Sequence, residues 1–459
     1  YTGIFETGTT WNNTVTVDGS NGKGSNARLS ITDTHNDWIL PNTGYQKQTV
    51  NFSGTTQLNK WIKLNAKATR KQSDNMPVMG YGAYNPLYLL AWGFSCNPMQ
   101  VYRDEYFKGR YTPANVEAGM IVNPASYYNP YRSLYEELNA NEKNRIYGNV
   151  SVNINLPVKG LTLDLRTGLD MDDEFRQLQR PYYSPGHNKG YYREQTIRDY
   201  EYNHDFLLRY VNNSWVNKRL GFNVAFGGNA MTRKWYRSYI TLDELGEEGV
   251  YNANNTPIGI NPTPYNYHAK KIVDSFYGFA SLSWDDTYYL DITGRNDWSS
   301  ALGRGNWSYF YPSVSTSILL DKALKLKNKA WWVDMLKMRL SWANVGNDTS
   351  PYTLTDTYSR SATYPGGYSL PGSMANPLIK PENVESWELG LETMLFKNRL
   401  GLDLAFYSSS TTDQIISAAT DPIIGASSRL VNAGKIRNRG IEISTHIVPV
   451  RARNVEWSM

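Results

Sequence analysis

The chain has 459 residues, 40% hydrophobic and 19% charged, with a formal net charge of +5. Its mean hydropathy is −0.55, and no stretch approaches the roughly 18 consecutive apolar residues a membrane helix needs; the longest, Leu87 to Phe94, is far too short. A helical membrane protein is thereby excluded, but a membrane barrel is not, because only alternate strand residues face lipid and a polar lumen dilutes the average.

Tyr1 opens in strand-like sequence with no signal peptide, so an exported protein is expected to be met here as a processed chain or a fragment. Hairpins are expected near Trp11 to Asp33 and Gln46 to Arg70. Between the first two strands, Gly22-Lys23-Gly24-Ser25-Asn26-Ala27 matches a dinucleotide fingerprint on paper. That motif needs a helix after it, yet Arg28 to Thr32 continues as strand, so a hairpin turn is expected. Strict alternation then recurs along the chain. Val150, Val152 and Ile154 form one apolar face, as do Leu161, Leu163 and Leu165, and then Phe222, Val224 and Phe226. Leu336, Met338, Leu340 and Trp342 alternate with Lys337, Arg339, Ser341 and Ala343. Leu400, Leu402, Leu404 and Phe406 repeat the pattern. A soluble sandwich alternates in the same way, so alternation alone does not place the sheet.

The links do. Short ones (Pro157 to Gly160, Asn217 to Arg219, Asp285-Asp286, Lys397 to Arg399) approximately alternate with long polar ones. The long links run from about Lys71 to Glu142, Asp172 to Arg198, Tyr239 to Lys270, Asn296 to Ser308, Gly346 to Glu382 and Thr411 to Lys435. Tight turns at one end and extended loops at the other are the signature of an outer-membrane barrel, whereas such loops are foreign to a compact soluble domain. The expected fold is all-β, a large transmembrane antiparallel β-barrel with about 15 to 17 strands. The last strand, near Val455 to Met459, reads as cut short, and a barrel must close to remove its edges. Aromatic residues make up 14% of the chain, with 35 Tyr, 14 Trp and 13 Phe. They suit membrane boundaries and sugar-stacking surfaces alike.

Four segments resemble the SusC/RagA family of TonB-dependent transporters. The first is Arg295-Asn296-Asp297-Trp298-Ser299-Ser300 followed by Tyr309-Phe310-Tyr311-Pro312-Ser313-Val314-Ser315. The second runs from Leu336-Lys337-Met338-Arg339-Leu340-Ser341-Trp342 through Val345-Gly346-Asn347. The third is Asn376-Pro377-Leu378-Ile379-Lys380-Pro381-Glu382 with Trp387-Glu388-Leu389-Gly390. The fourth is Asn432-Ala433-Gly434 with Asn438-Arg439-Gly440-Ile441-Glu442. They stand in the family's order. The resemblance implies that residues 1–459 form part of a 22-stranded barrel, with the plug domain and closing strands outside them. It implies energised import of oligosaccharides or oligopeptides across the outer membrane. The partners it implies are a SusD-like surface lipoprotein, the TonB-ExbB-ExbD complex through a segment outside these residues, and outer-membrane lipid with lipopolysaccharide.

No residue reads as catalytic. There is no GxSxG elbow, the acidic pairs Asp285-Asp286 and Glu136-Glu137 read as turn and loop, and no cofactor is expected. The lone Cys96 excludes a disulfide framework and a cysteine-based zinc site. The five histidines, His35, His187, His204, His268 and His446, lack paired ligand spacing. Asp170, Asp172, Asp173 and Glu174 form an acidic knot without EF-hand spacing, so a solvated loop is expected rather than a metal. No basic block suggests nucleic acid. Outer-loop candidates for substrate contact are Trp92, Tyr102, Tyr106, Asp297, Trp298 and Trp307. The first three belong to an aromatic loop, Met76 to Tyr135, that also carries Tyr111, Tyr127 and Tyr128; it stacks on substrate, or folds on its own aromatic core or against a partner. A secreted all-β carbohydrate-active protein, a passive porin and a siderophore or cobalamin receptor are the competing readings.

Overall fold

The structure, a computed structural model, describes residues 2–75, 86–87, 99–109, 129–184, 186–215, 219–326, 329–360, 366–453 and 455–459. Fifteen strands form one antiparallel sheet in which each strand pairs with its sequence neighbours. The first six are β1 (Thr9–Ser20), β2 (Asn26–Asp37), β3 (Gly44–Gln57), β4 (Ile62–Asn75), β5 (Asn139–Asn155) and β6 (Leu161–Arg180). The middle of the sheet is β7 (Tyr191–Ser214), β8 (Leu220–Leu242), β9 (Thr263–Trp284), β10 (Tyr288–Ser299) and β11 (Ser308–Leu319). β12 (Val333–Asn347), β13 (Glu382–Leu395), β14 (Leu400–Thr412) and β15 (Lys435–Ile447) complete it. β1 and β15 are its two edges.

Register shows why alternation was so regular. Leu340 pairs with Thr316, Thr316 with Leu290, Leu290 with Leu282 and Leu282 with Phe222, so apolar side chains from four strands share one row with Thr316 among them. That face is exposed: Leu340 is 47% exposed, Phe226 53% and Ile441 70%. A face this apolar and this open belongs in lipid. The opposite face is polar and lines the lumen. There Arg339 Nη2 reaches Asp403 Oδ1 at 2.8 Å on β14, passing over its cross-strand partner Gly390. A Cβ on Gly390 would stand 2.3 Å from Arg339 Nε, so that glycine makes room for the guanidinium.

Tight links lie at one end, as at Asn21 to Ser25. There Asn21 Oδ1 accepts from Lys23 N at 2.8 Å and Ser25 N at 3.0 Å, and Gly22 and Gly24 take φ of 67° and 87°. The supposed nucleotide fingerprint is this hairpin turn. One link at the same end is longer, carrying a short helix at Leu320–Ala323. The extended links stand at the extracellular end, and the buried hydrophobic clusters sit among them. Ile4, Leu40, Met99, Tyr102, Tyr131 and Leu134 make one, Tyr192, Leu242 and Leu245 the other.

Three expectations are corrected. Asp172 to Arg198 is not a loop: β6 and β7 run on to Arg180 and from Tyr191. Cross-strand ion pairs hold this polar stretch extended, with Lys143 on Asp172 at 2.7 Å, Arg145 on Asp170 at 2.5 Å and Arg198 on Asp173 at 2.8 Å. The acidic knot is thus a set of neutralised strand residues. At the start, Thr2–Ile4 is a 3₁₀ turn and the first strand begins at Thr9. At the other end, Glu456–Trp457 pairs with Val450–Arg451 in a separate small hairpin. Met459 meets the main sheet's edge, exchanging backbone hydrogen bonds of 2.8 and 2.9 Å with Ile447.

Candidate functional site: the extracellular rim and lumen mouth

The four motifs meet at the extracellular rim, where their polar side chains staple strand ends to loops. On β10, Arg295 Nε donates to Asp297 Oδ1 at 2.7 Å and its Nη2 to Ser275 Oγ at 2.9 Å, while the Tyr311 hydroxyl donates to Asp297. Ser299 Oγ donates to Asp348, whose other oxygen takes Lys271 Nζ at 2.5 Å. Asp348 follows Asn347 of the second motif. Glu382 Oε1 accepts from Ile415 N at 2.8 Å. Asn432 Oδ1 accepts from Lys380 N at 2.8 Å, and its Nδ2 donates to the carbonyls of Lys380 and Asp413, each at 2.9 Å. Asn306 Nδ2 donates to Leu378 O at 3.0 Å beside the fully buried Ile379. An amide that donates twice and accepts once can hold two loops together, which explains the asparagines.

The substrate-contact candidates fall in different places. Asp297 is 6% exposed on the lumenal face. Trp298, its neighbour, leaves β10 on the opposite face, its ring 5.9 Å from Phe276 and steeply inclined to it, in the outward row that also holds Ile292. Trp307 is 48% exposed in the short rim loop, its carbonyl accepting from Ser299 N at 2.9 Å. Tyr102 and Tyr106 lie on α1 (Met99–Phe107). Tyr102 is 3% exposed inside the first hydrophobic cluster, and Tyr106 stacks on Tyr135 at 5.9 Å. The described part of the aromatic loop therefore packs into a core it shares with Ile4 and Leu40, helped by α2 (Pro130–Tyr135), whose N-cap Asn129 is fully buried. Trp92, Tyr111, Tyr127 and Tyr128 lie outside the described residues.

A lumen-facing wall escaped the sequence reading. A hollow of about 650 Å³ opens between β8, β9 and the link after β12, lined by Arg233, Trp235, Arg237, Tyr265 and Tyr267 among others. Arg193 stacks over Tyr239 at 3.8 Å, and Tyr239 stacks on Tyr265 at 4.5 Å with rings 12° apart. Arg233 covers Trp235 at 4.6 Å while its Nε donates to Asp199 Oδ1 at 2.9 Å. The signal was present as Arg233-x-Trp235-x-Arg237-x-Tyr239 and Tyr265-x-Tyr267, a period of two on one strand face. Placing Tyr239 to Lys270 in a loop hid it. A second hollow, of about 710 Å³, lies beside Phe206, Gly228 and Phe276 on the outward apolar face, where lipid rather than cargo would meet it.

Charge at the rim follows burial. Glu137 carries a carboxyl pushed up by burial, opposed by Arg132 and Arg180 and by a hydrogen bond from Ser133 at 3.0 Å. Burial moves His187 the other way, lowering it, and raises the Tyr251 phenol to about 12. Tyr251 and His187 stay neutral near pH 7, and the wall's fixed charge is left to its arginines and carboxylates.

The family described as TonB dependent receptor-like, beta-barrel, matches residues 99–458. TonB-dependent receptor P26 of Formosa agariphila is 26% identical over 57% of this chain and 27% of its own length. TonB-dependent receptor SusC of Bacteroides thetaiotaomicron is 23% identical over 73% of this chain and 34% of its own. Among solved structures, the RagAB peptide importer in its open-open state superposes with a TM-score of 0.77 at 19% identity, covering 98% of this chain and 49% of that one. At that identity the likeness shows the fold. The chain thus spans about a third or less of these two curated relatives and about half of that solved chain.

Proposed function

This chain belongs to the TonB-dependent receptor β-barrel family of the outer membrane, and from that premise we propose that it serves active import of an oligosaccharide or oligopeptide. The observation that carries this reading is the rim: four ordered motifs tie long loops around a lumen mouth walled by arginine and aromatic side chains. Such a wall binds by stacking and charge. A SusD-like lipoprotein seated on the loops delivers cargo, and a plug outside these 459 residues blocks the lumen until TonB, drawing on the inner-membrane proton gradient, displaces it. The likeness to SusC and to the RagAB importer supports both the cargo classes and the lipoprotein.

Uptake of labelled oligosaccharides and oligopeptides by cells expressing the full-length protein with its neighbouring lipoprotein tests the proposal. Import is expected to stop when TonB is deleted or a protonophore is added. Uptake that persists undiminished under both conditions would mark a passive pore and defeat it.

A further inference from the structure

The wall between β7 and β9 holds cations that its own carboxylates leave unneutralised. Deeper along it, Asp199 takes Arg233 and Asp348 takes Lys271. Nearer the mouth, Arg193 and Arg237 are in no ion pair among the described residues. Arg193 donates from Nη2 to Gln195 at 2.9 Å, but its Nε is buried without a partner. The cross-strand neighbours of Arg237 are Ile197 and Tyr267, neither of them acidic. A guanidinium lying flat on a ring, as Arg193 lies on Tyr239, still directs its N–H groups in its own plane toward a planar or tetrahedral anion; with Nε buried and Nη2 on Gln195, Nη1 is the group of Arg193 left for one. Charge-assisted, two-pronged hydrogen bonds to carboxylate or sulfate are the strong use of that edge.

Beside these arginines stand Tyr265 and Tyr267, 41% and 42% exposed. Flat aromatic faces suit the C–H faces of pyranose rings. Peptides recognised on sheets add a strand to a free edge; β8 is paired along both sides by β7 and β9, and on the edge of β9 beyond its pairing with β10 the Ser300 and Tyr352 hydroxyls already take the N–H groups of Ile272 and Lys270. Recognition at this wall falls to side chains, which favours a sugar over a peptide.

We propose that this wall is a subsite for an anionic oligosaccharide, with Arg193 and Arg237 taking a carboxylate or sulfate and Tyr265 and Tyr267 the ring faces. The assignment rests on the import reading above and names its cargo. Calorimetry on the full-length receptor in detergent tests it with four hexamers: a galacturonide, a sulfated galactan, a neutral galactan and hexaglutamate. At least one charged sugar is expected to bind ten times or more tighter than the neutral one, and whichever does so identifies the anion as carboxylate or sulfate. Raising salt should weaken it. Arg237→Gln and, independently, Arg193→Gln should each cost tenfold or more for that ligand, with Arg237→Lys in between. Lys234→Gln, whose side chain leaves β8 on the outward face, should keep the parent affinities. Equal binding of neutral and charged sugars, or hexaglutamate binding as tightly as the better charged sugar, would overturn the assignment while leaving import standing. If none of the four binds, the assignment fails and so does the cargo class from which it starts.

Discussion

The rim is built in two ways. Over β1 to β6 the cap is held by a hydrophobic cluster, with Leu134 and Tyr102 buried among Ile4, Leu40, Met99 and Tyr131. Over β10 to β15 it is held by single polar side chains that bridge two loops, Asn432 and Asp348 above all. The contrast explains which half of the sequence could be recognised. A hydrophobic cluster tolerates many combinations of apolar residues of suitable volume. A bridging amide or carboxylate tolerates almost none, because each donor and acceptor is committed. The second half therefore carries readable motifs, and the first half resembles the family only loosely.

The contrast can be broken from either side. Leu134→Ala should cost the first cap about 2–5 kcal/mol, because the side chain is fully buried and the space cannot collapse. Leu134→Met should cost less than about 1.5 kcal/mol. Limited proteolysis of the extracellular loops in the folded receptor reads both, and equal damage from the two would refute a cap held by volume. Asn432→Ala should loosen the second cap by about 1–3 kcal/mol through three lost hydrogen bonds. Asn432→Asp should not rescue it, since a carboxylate cannot donate to the Lys380 and Asp413 carbonyls. Rescue by aspartate would show that the bridge is not the fastening.

Gly390→Ala sharpens the same point within the lumen. The added methyl must displace Arg339 from Asp403, at a cost of about 1–3 kcal/mol, read as a lowered thermal midpoint. Arg339→Gln should already carry most of that loss, so the double variant should be little worse than either single one.

The smallest effect is in pH. Glu137 is raised in the folded cap, so its contribution is full below the ordinary value of 4.5 and is lost as pH rises through the folded value. His187 is lowered, so its contribution is present above 6.5 and is lost as pH falls through the folded value. Loop hydrogen exchange in His187→Asn should slow as pH drops toward 4.5, after correction for intrinsic rates. In Glu137→Gln it should quicken below 6.5. If neither variant changes the slope, burial does not govern these two groups.

Alternation made the sheet legible, and link asymmetry its orientation, since both follow from a period of two and from where turns are short. What escaped was the height of the strands above the membrane. Arg198 and Asp172 look like loop residues by composition, and only pairing across strands reveals that each charge is met. For the same reason the inner wall of Arg193, Arg237 and Tyr265 could not be assembled: its members come from three strands whose register the sequence does not state. Asp297 and Trp298 stand side by side in the chain, yet they face lumen and lipid respectively.

Every pairing in the main sheet joins strands that are successive within that sheet. Assembly can therefore proceed hairpin by hairpin, each step closing only its own link. Closure entropy grows with the logarithm of length, so spanning residues 76–138 between β4 and β5 costs about 2 kcal/mol more than spanning residues 38–43 between β2 and β3. Loops can thus lengthen at the outer surface with little penalty to folding, and that is the surface on which new cargo preferences would have to be written.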